Sequence, residues 1–185
     1  MNKRFRFRAL LIAFLFVISG FHAVLAQSPS KPRTIVTTDG EVDDQDSFIR
    51  MLLYSNEFNL IGLVYSSSQW HYTGDGKGTK FTSEMPMTKK LYGERSELRW
   101  PGTDWMQAFI DKYASVYENL NKNGRGYPSP DYLKGLVKVG NIEFEGEMEK
   151  DTEGSNFIKK ILMDNTTEPI SVSYTHLTLP TILRV

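Results

Sequence analysis

Five carboxylates stand within eight positions in Asp39-Gly40-Glu41-Val42-Asp43-Asp44-Gln45-Asp46. Acids crowded in this way repel one another, and the arrangement costs free energy unless something positive compensates. A helix N-terminus offsets part of it, since Asp43, Asp44 or Asp46 can accept from free backbone N–H groups for roughly 0.5 to 2 kcal/mol each. Capping accounts for one or two acids and leaves Asp39 unexplained. A hard divalent cation is the stronger compensator there, because the run offers only oxygen donors, which calcium and magnesium prefer. A second polar stretch, Ser66-Ser67-Ser68-Gln69-Trp70-His71-Tyr72, combines hydroxyls with rings and suits a polar, ring-bearing ligand. His71 is the only histidine between the N-terminal segment and the last ten residues. It is a candidate for ligand contact or general acid, against the alternative of a surface histidine beside a half-buried Trp70.

The elements around these stretches must bring them together. Arg33-Thr34-Ile35-Val36-Thr37-Thr38 is rich in β-branched residues and reads as a buried strand, while Phe48, Met51 and Leu52 recur at helical spacing over residues 46 to 55. Residues 60 to 65, with Ile61, Leu63 and Val64, read as a second buried strand. Strand, helix and strand form one βαβ unit, so the acidic turn and the 66–72 loop emerge side by side at the carboxyl ends of parallel strands, where open α/β sheets bind ligands. The expected fold is therefore α/β, a mainly parallel open sheet flanked by helices.

Further along, Gly74-Asp75-Gly76-Lys77-Gly78 lacks the Gly-Lys-Ser/Thr ending of a phosphate loop and reads as a flexible loop. Residues 80 to 100 look irregular. A helix from Asp104 carries Trp105, Phe109, Tyr113, Val116, Tyr117 and Leu120 on one face. Ser129-Pro130-Asp131 opens a short helix to about 137, with Pro in its first turn. Residues 143 to 153 read as a solvated loop, 155 to 163 as a helix, and a further strand is expected after Pro169-Ile170. From Val172 to Thr181 the string Val-Ser-Tyr-Thr-His-Leu-Thr-Leu-Pro-Thr resembles the translation of a transposase adapter used in sequencing libraries. Residues 171 to 185 are accordingly expected to be an artefactual tail on a C-terminally truncated domain.

Lys3, Arg4, Arg6 and Arg8 precede an apolar run over residues 9 to 18, and Val24-Leu25-Ala26 suits a signal peptidase. Residues 1 to 26 are expected to be a signal peptide, 27 to 32 a polar lead-in and 33 to 170 the folded part, in a secreted or periplasmic protein with no membrane segment after cleavage. The leader holds four of the 22 basic residues and none of the 22 acids, leaving the remainder about four acids in excess. Such a chain has no electrostatic reason to bind nucleic acid. It has no cysteine, so neither disulfides nor thiolate metal sites arise.

Asp39-Gly40-Glu41-Val42-Asp43-Asp44 resembles the Asp-Pro-Gly-x-Asp-Asp signature of the inosine-uridine-preferring nucleoside hydrolases, at the same place after a first strand. With Tyr65-Ser66-Ser67-Ser68, Gly126-Tyr127-Pro128-Ser129-Pro130 and the stretch from Gly146 to Ser155, the chain resembles a secreted bacterial family with a nucleoside-hydrolase-like domain, often labelled cellulose-binding. The resemblance implies calcium held by Asp39 and Asp44, with Asp43 gripping a sugar diol and Asp39 helping to deprotonate the attacking water. Ser67 stands where the hydrolases carry a sugar-contacting asparagine. Two further departures are visible. The signature's Pro-Gly pair is Gly40-Glu41, which adds a carboxylate, and the remaining calcium ligands and the leaving-group histidine are expected beyond the chain. The implied activity is calcium-dependent hydrolysis of N-glycosidic or related glycosidic bonds in a sugar, nucleoside or polysaccharide. The alternative is a non-catalytic carbohydrate-binding module using Trp70, Tyr72, Trp100 and Trp105 as stacking platforms.

Overall fold

A computed structural model describes residues 30–174 and 181–183. The expected leader, residues 1 to 26, and most of the expected tail lie outside the described residues.

The chain enters the sheet through β1 (Arg33–Thr38), whose β-branched side chains are stiff at χ1 and suit a pleated, buried surface. Helix α1 (Val42–Leu53) and a short 3-10 turn (Ser55–Glu57) return the chain to β2 (Asn59–Tyr65), which pairs with β1 in parallel. Three more helices follow: α2 (Pro86–Tyr92), α3 (Trp105–Asn123) and α4 (Pro130–Leu136). Strand β3 (Val137–Val139) then extends the sheet beyond β2. After α5 (Glu153–Leu162), β4 (Ile170–Tyr174) pairs in parallel with the free side of β1, and β5 (Thr181–Leu183) runs antiparallel to β4. The sheet order is β3-β2-β1-β4-β5, with the first four strands parallel. The chain therefore steps outward from β1 to β3 and jumps back across β1 to β4. In open α/β sheets such a reversal of strand order marks the end of the sheet at which ligands bind.

Alternating side chains divide the sheet between two layers. Val36, Leu63 and Tyr65 point into one core with Phe48 and Leu52 of α1, Met106, Ile110 and Tyr113 of α3, and Leu133 of α4. On the other face, Gly62 lies against Phe157 of α5 and Val64 against Gly154. A Cβ on Gly154 would stand 2.8 Å from Gly140 Cα, so the first turn of α5 sits directly on the end of β3. A capping box between Thr152 and Ser155 starts that helix. Arg33 pairs with Asp164 and Thr166, tying the start of β1 to the segment after α5.

The α/β parallel architecture agrees with the sequence reading, and several boundaries differ. Helix α1 begins at Val42 rather than 46, four residues earlier, so Asp43 and Asp44 lie inside its first turn. The segment expected to be irregular contains α2, started by Pro86 and burying only Thr88. Strand β3 was not anticipated, and three residues are too few for periodicity to register. Strand β4 runs through Val172 to Tyr174, into the stretch expected to be artefactual. Among the described residues, no helix is long and apolar enough to cross a membrane.

Candidate functional site

The turn after β1 is held by its own polar atoms. Thr38 Oγ1 and the Asp39 backbone N–H both donate to Asp44 Oδ2, at 3.0 and 3.3 Å, and the Gly40 N–H donates to Thr38 Oγ1 at 3.2 Å. Gln45 Nε2 donates to the Gly40 carbonyl at 3.0 Å. Thr38, Asp39 and Asp44 are fully buried. Gly40 has φ +79°, in the left-handed region, and a Cβ there would lie 2.6 Å from Trp105 Nε1 and 2.7 Å from Pro101 Cγ. Only glycine fits, so α3 and the segment before it clamp the turn between Asp39 and Glu41. Glu41 is the N-cap of α1 but makes no side-chain cap. Its carboxylate is directed elsewhere.

The second half of the site comes from the loop after β2. The Ser66 N–H donates to the Thr38 carbonyl at 2.8 Å, joining the two loops as they leave the sheet. The Trp70 N–H donates to Ser68 Oγ and the Ser68 N–H to the His71 carbonyl, each at 3.0 Å, which curls the loop back on itself. Tyr72 is fixed by two backbone bonds to Leu98 and packs edge-on to Phe81, with ring centroids 5.5 Å apart. His71, pinned between these anchors, is buried. Its Nδ1 lies 3.3 Å from Asp39 Oδ2 and 3.7 Å from Glu41 Oε1. One donor atom from each of Asp39, Glu41 and His71 falls within 4.8 Å of the others.

Burial works to raise the Asp39 pKa. The neighbouring side chains of His71, Asp44 and Ser68 outweigh it and hold the carboxyl well below the usual carboxylate range. Asp39 is thus a buried group that keeps its negative charge, the condition expected of a ligand or electrostatic site rather than of core filler.

The residues singled out from the sequence fall in three groups. Asp39 and His71 meet, and they meet Glu41, which the sequence reading treated only as a carboxylate added by a departure from the signature. Asp44 stands next to Asp39 but commits Oδ2 to closing the turn. Asp43 is exposed on the first turn of α1. Ser67 donates its hydroxyl to the Phe144 carbonyl at 2.8 Å, fastening the loop to the 141–144 segment. Trp70 is half-buried and edge-on to Tyr92, at 6.0 Å between centroids. Tyr72 and Trp105 are not stacking platforms: Tyr72 is 1 % exposed among Phe81 and Phe144, and Trp105 packs edge-on to Phe48 and Tyr65. Trp100 packs against the core. Ser68, which helps hold Asp39 ionised, was signalled only by the run of three serines.

The donor set can be tested against calcium. Calcium takes six to eight oxygens, whereas the converging atoms here are two carboxylate oxygens and an imidazole nitrogen, with Asp44 Oδ2 already accepting two hydrogen bonds. Among the described residues the turn thus brings together part of a donor set that a metal ion could use.

A cleft of about 420 Å³ opens beside the His71 loop, where Thr73, Gly74 and Asp75 face Asn141, Glu147 and Thr152. It lies at the carboxyl end of β3, at the same edge of the sheet as the acidic turn.

No curated protein matches the chain. A solved structure, of a nucleoside hydrolase-related hypothetical protein from Saccharophagus degradans that is associated with carbohydrate metabolism, is similar at 25% identity and a TM-score of 0.57. The similarity covers 77% of this chain and 30% of that one, so the chain spans under a third of that protein's length. The family model for the cellulose-binding Sde182, nucleoside hydrolase-like domain matches residues 33–175, which include both loops of the site. With a parallel sheet, an acidic turn after its first strand and a family match over most of its length, the chain belongs to the cellulose-binding Sde182, nucleoside hydrolase-like domain family.

Proposed function

We propose that the protein is exported and hydrolyses a glycosidic bond at the Asp39–Glu41–His71 cluster, with N-glycosidic bonds of nucleosides within its substrate class. The carrying observation is the meeting of a buried, ionised Asp39 with Glu41 and His71 at the mouth of adjacent parallel strands. Glycosidic cleavage proceeds through an oxocarbenium-like transition state, which fixed negative charge stabilises. Asp39 serves as that charge, and its lowered pKa makes it a poor proton acceptor. Glu41, the more exposed carboxylate, accepts the proton of the attacking water as the water oxygen bonds to the anomeric carbon. The leaving group departs with the electron pair of the broken bond. His71 spaces the two carboxylates through Nδ1. Asp43, exposed beside the turn, is positioned for a sugar hydroxyl, and the cleft walled by Thr73 and Asn141 offers room for further sugar.

The test is incubation of the full chain with nucleosides and soluble glucans, followed by measurement of released reducing sugar. Release that disappears in Asp39→Asn and Glu41→Gln supports hydrolysis; no release from any substrate, or unchanged release in both variants, removes it. Export is checked separately by N-terminal sequencing of protein from the periplasm or medium, with a mature start at Gln27 expected.

Non-catalytic carbohydrate binding has one observation of its own: Trp70 keeps a partly exposed ring beside the site, edge-on to Tyr92. Retention on insoluble cellulose that Trp70→Ala abolishes, without any reducing-sugar release, favours that reading.

A further inference from the structure

We propose that Arg99, set beside Tyr92 and Trp70, is a subsite for the carboxylate of a uronic-acid unit, which makes an acidic polysaccharide the class of glycan that the protein takes. This deepens the proposed function and rests on it for the site being a glycan site, but the binding is measurable without any hydrolysis.

Three observations converge. First, charge is unevenly spread along the chain. Residues 73 to 99 leave the His71 loop at Tyr72 and return to it at Leu98. They carry six cations against four acids, whereas the rest of the chain after residue 26 carries twelve against eighteen. Lys77, Lys80, Lys89, Lys90, Arg95 and Arg99 are all exposed. Among the described residues none of these six makes an ion pair, although Arg33, Lys134, Lys138 and Lys150 do. An acidic protein that keeps one basic excursion uncompensated presents it to an anion.

Second, Arg99 is held at the edge of the candidate site. It has φ +45°, a left-handed conformation that is uncommon for a residue with a side chain. Backbone bonds in both directions between Tyr72 and Leu98, at 3.0 and 2.9 Å, anchor the chain just before it. Trp100 and Pro101 follow, and Pro101 is one of the groups packed against Gly40 of the acidic turn. The guanidinium donates through Nη1 to Tyr92 Oη at 3.4 Å, which occupies one of its five N–H donors and leaves the fork open to a second partner.

Third, the rings beside Arg99 suit a sugar. Tyr92 stands edge-on to Trp70 at 6.0 Å between centroids, both rings are half-buried, and Trp70 immediately precedes the buried His71. Thr88 Oγ1 donates to Gln69 Oε1 at 2.6 Å, so α2 is fastened to the same loop. A partly exposed aromatic ring offers an apolar face to a sugar, and a guanidinium pairs with a carboxylate through two parallel N–H···O bonds. Such an acid is repelled by Asp39 and Glu41 themselves, so a cation at the rim is the place for it. The competing occupant is an anionic lipid surface, into which the exposed Met85, Met87 and Leu91 of the same excursion would insert. It gives no reason for the bend that sets Arg99 against Tyr92.

The experiment uses the full chain and calorimetry with an oligogalacturonate, its neutral methyl ester and a cello-oligosaccharide of equal length, at low and high salt. The acid oligomer should bind at least about tenfold tighter than its ester, as expected of one added charge-assisted pair, and the margin should narrow with salt. Arg99→Gly removes the guanidinium while taking φ +45° freely, so it should erase the preference and leave the affinity for the ester unchanged. Arg99→Lys, which keeps the charge without the fork, should retain part of the preference. Equal affinity for acid and ester, or a preference that survives in Arg99→Gly, overturns the assignment. So does dextran sulfate binding as tightly as the acid oligomer, the mark of a general polyanion patch. Pelleting with phosphatidylglycerol vesicles that Met87→Ser abolishes and Arg99→Gly does not, without a preference for the acid oligomer, makes the excursion a lipid-docking surface instead. Acid preference with no reducing sugar released from any substrate upholds the subsite and removes the hydrolytic reading. Release from nucleosides or neutral glucans without acid preference does the reverse.

Discussion

Replacing Gly40 by alanine tests whether the acidic turn depends on its clamp. The residue has φ +79°, where a Cβ meets the backbone, at a cost of roughly 1–2 kcal/mol. The same Cβ would lie 2.6 Å from Trp105 Nε1 and 2.7 Å from Pro101 Cγ, well inside contact distance. Trp105 cannot swing aside freely, since it packs edge-on to Phe48 at 5.2 Å and to Tyr65 at 5.6 Å between centroids. Overpacking of that kind costs typically about 1–3 kcal/mol. The expected loss is therefore about 2–5 kcal/mol, which at about 2–4 °C per kcal/mol for a domain of this size lowers Tm by about 4–20 °C. Urea titration followed by far-ultraviolet circular dichroism measures it. Because Gly40 joins Asp39 to Glu41, glycoside hydrolysis should fall in the same variant even at temperatures where it is folded. A change in stability below about 0.5 kcal/mol would refute the reasoning, since that is the scatter of an ordinary surface substitution.

Other perturbations have equally definite outcomes. Tyr65→Phe removes the hydroxyl that accepts the Met106 N–H at 3.0 Å in the first turn of α3, so denaturant titration should show a loss of about 1–3 kcal/mol. In the unaltered protein, burial pushes the Tyr65 pKa up to about 12. A raised folded pKa contributes stability that is present below the unfolded value near 10 and is lost as pH rises toward 12; ultraviolet titration should find one tyrosinate forming late, together with unfolding. Gly154→Ala places a Cβ 2.8 Å from Gly140 Cα and Val64 Cγ1, where the obstacle is backbone, and thermal melting should register a clear destabilisation. Asp44→Ala strips the acceptor from Thr38 Oγ1 and the Asp39 N–H, costing about 1–3 kcal/mol by the same denaturant assay.

The legible parts of the fold were those where apolar spacing is strong. β1, β2 and α3 could be read because Ile35, Val36 and Leu63 sit on buried strand faces and Trp105, Phe109, Tyr113, Tyr117 and Leu120 recur at helical spacing against the core, although the fully buried Met106 and Ile110 were not singled out and Val116 is exposed. Helix α2 was not legible because it buries only Thr88 and exposes Met87 and Leu91, reversing the usual pattern. Within the site, the crowding of acids announced that a compensating group was needed, and the βαβ topology placed His71 near them. What the sequence could not show was the division of labour. Asp44, expected to be a metal ligand, also uses Oδ2 to accept from Thr38 and the Asp39 N–H, a second task that spacing does not show. The same turn swings Glu41 toward His71, so a residue that departs from the expected signature became part of the cluster. Neither outcome follows from spacing alone, because both depend on how the chain turns between β1 and α1.

The central claim is that buried negative charge at Asp39 and Glu41 opposes a developing positive charge on a sugar ring. Calorimetric binding of a cationic iminosugar, compared with its neutral sugar counterpart, tests this directly and needs no knowledge of the natural leaving group. The predicted result is tighter binding of the cationic compound to the unaltered chain, with the preference lost in Asp39→Asn. Equal affinity for the two compounds, or a preference that survives in Asp39→Asn, would contradict it.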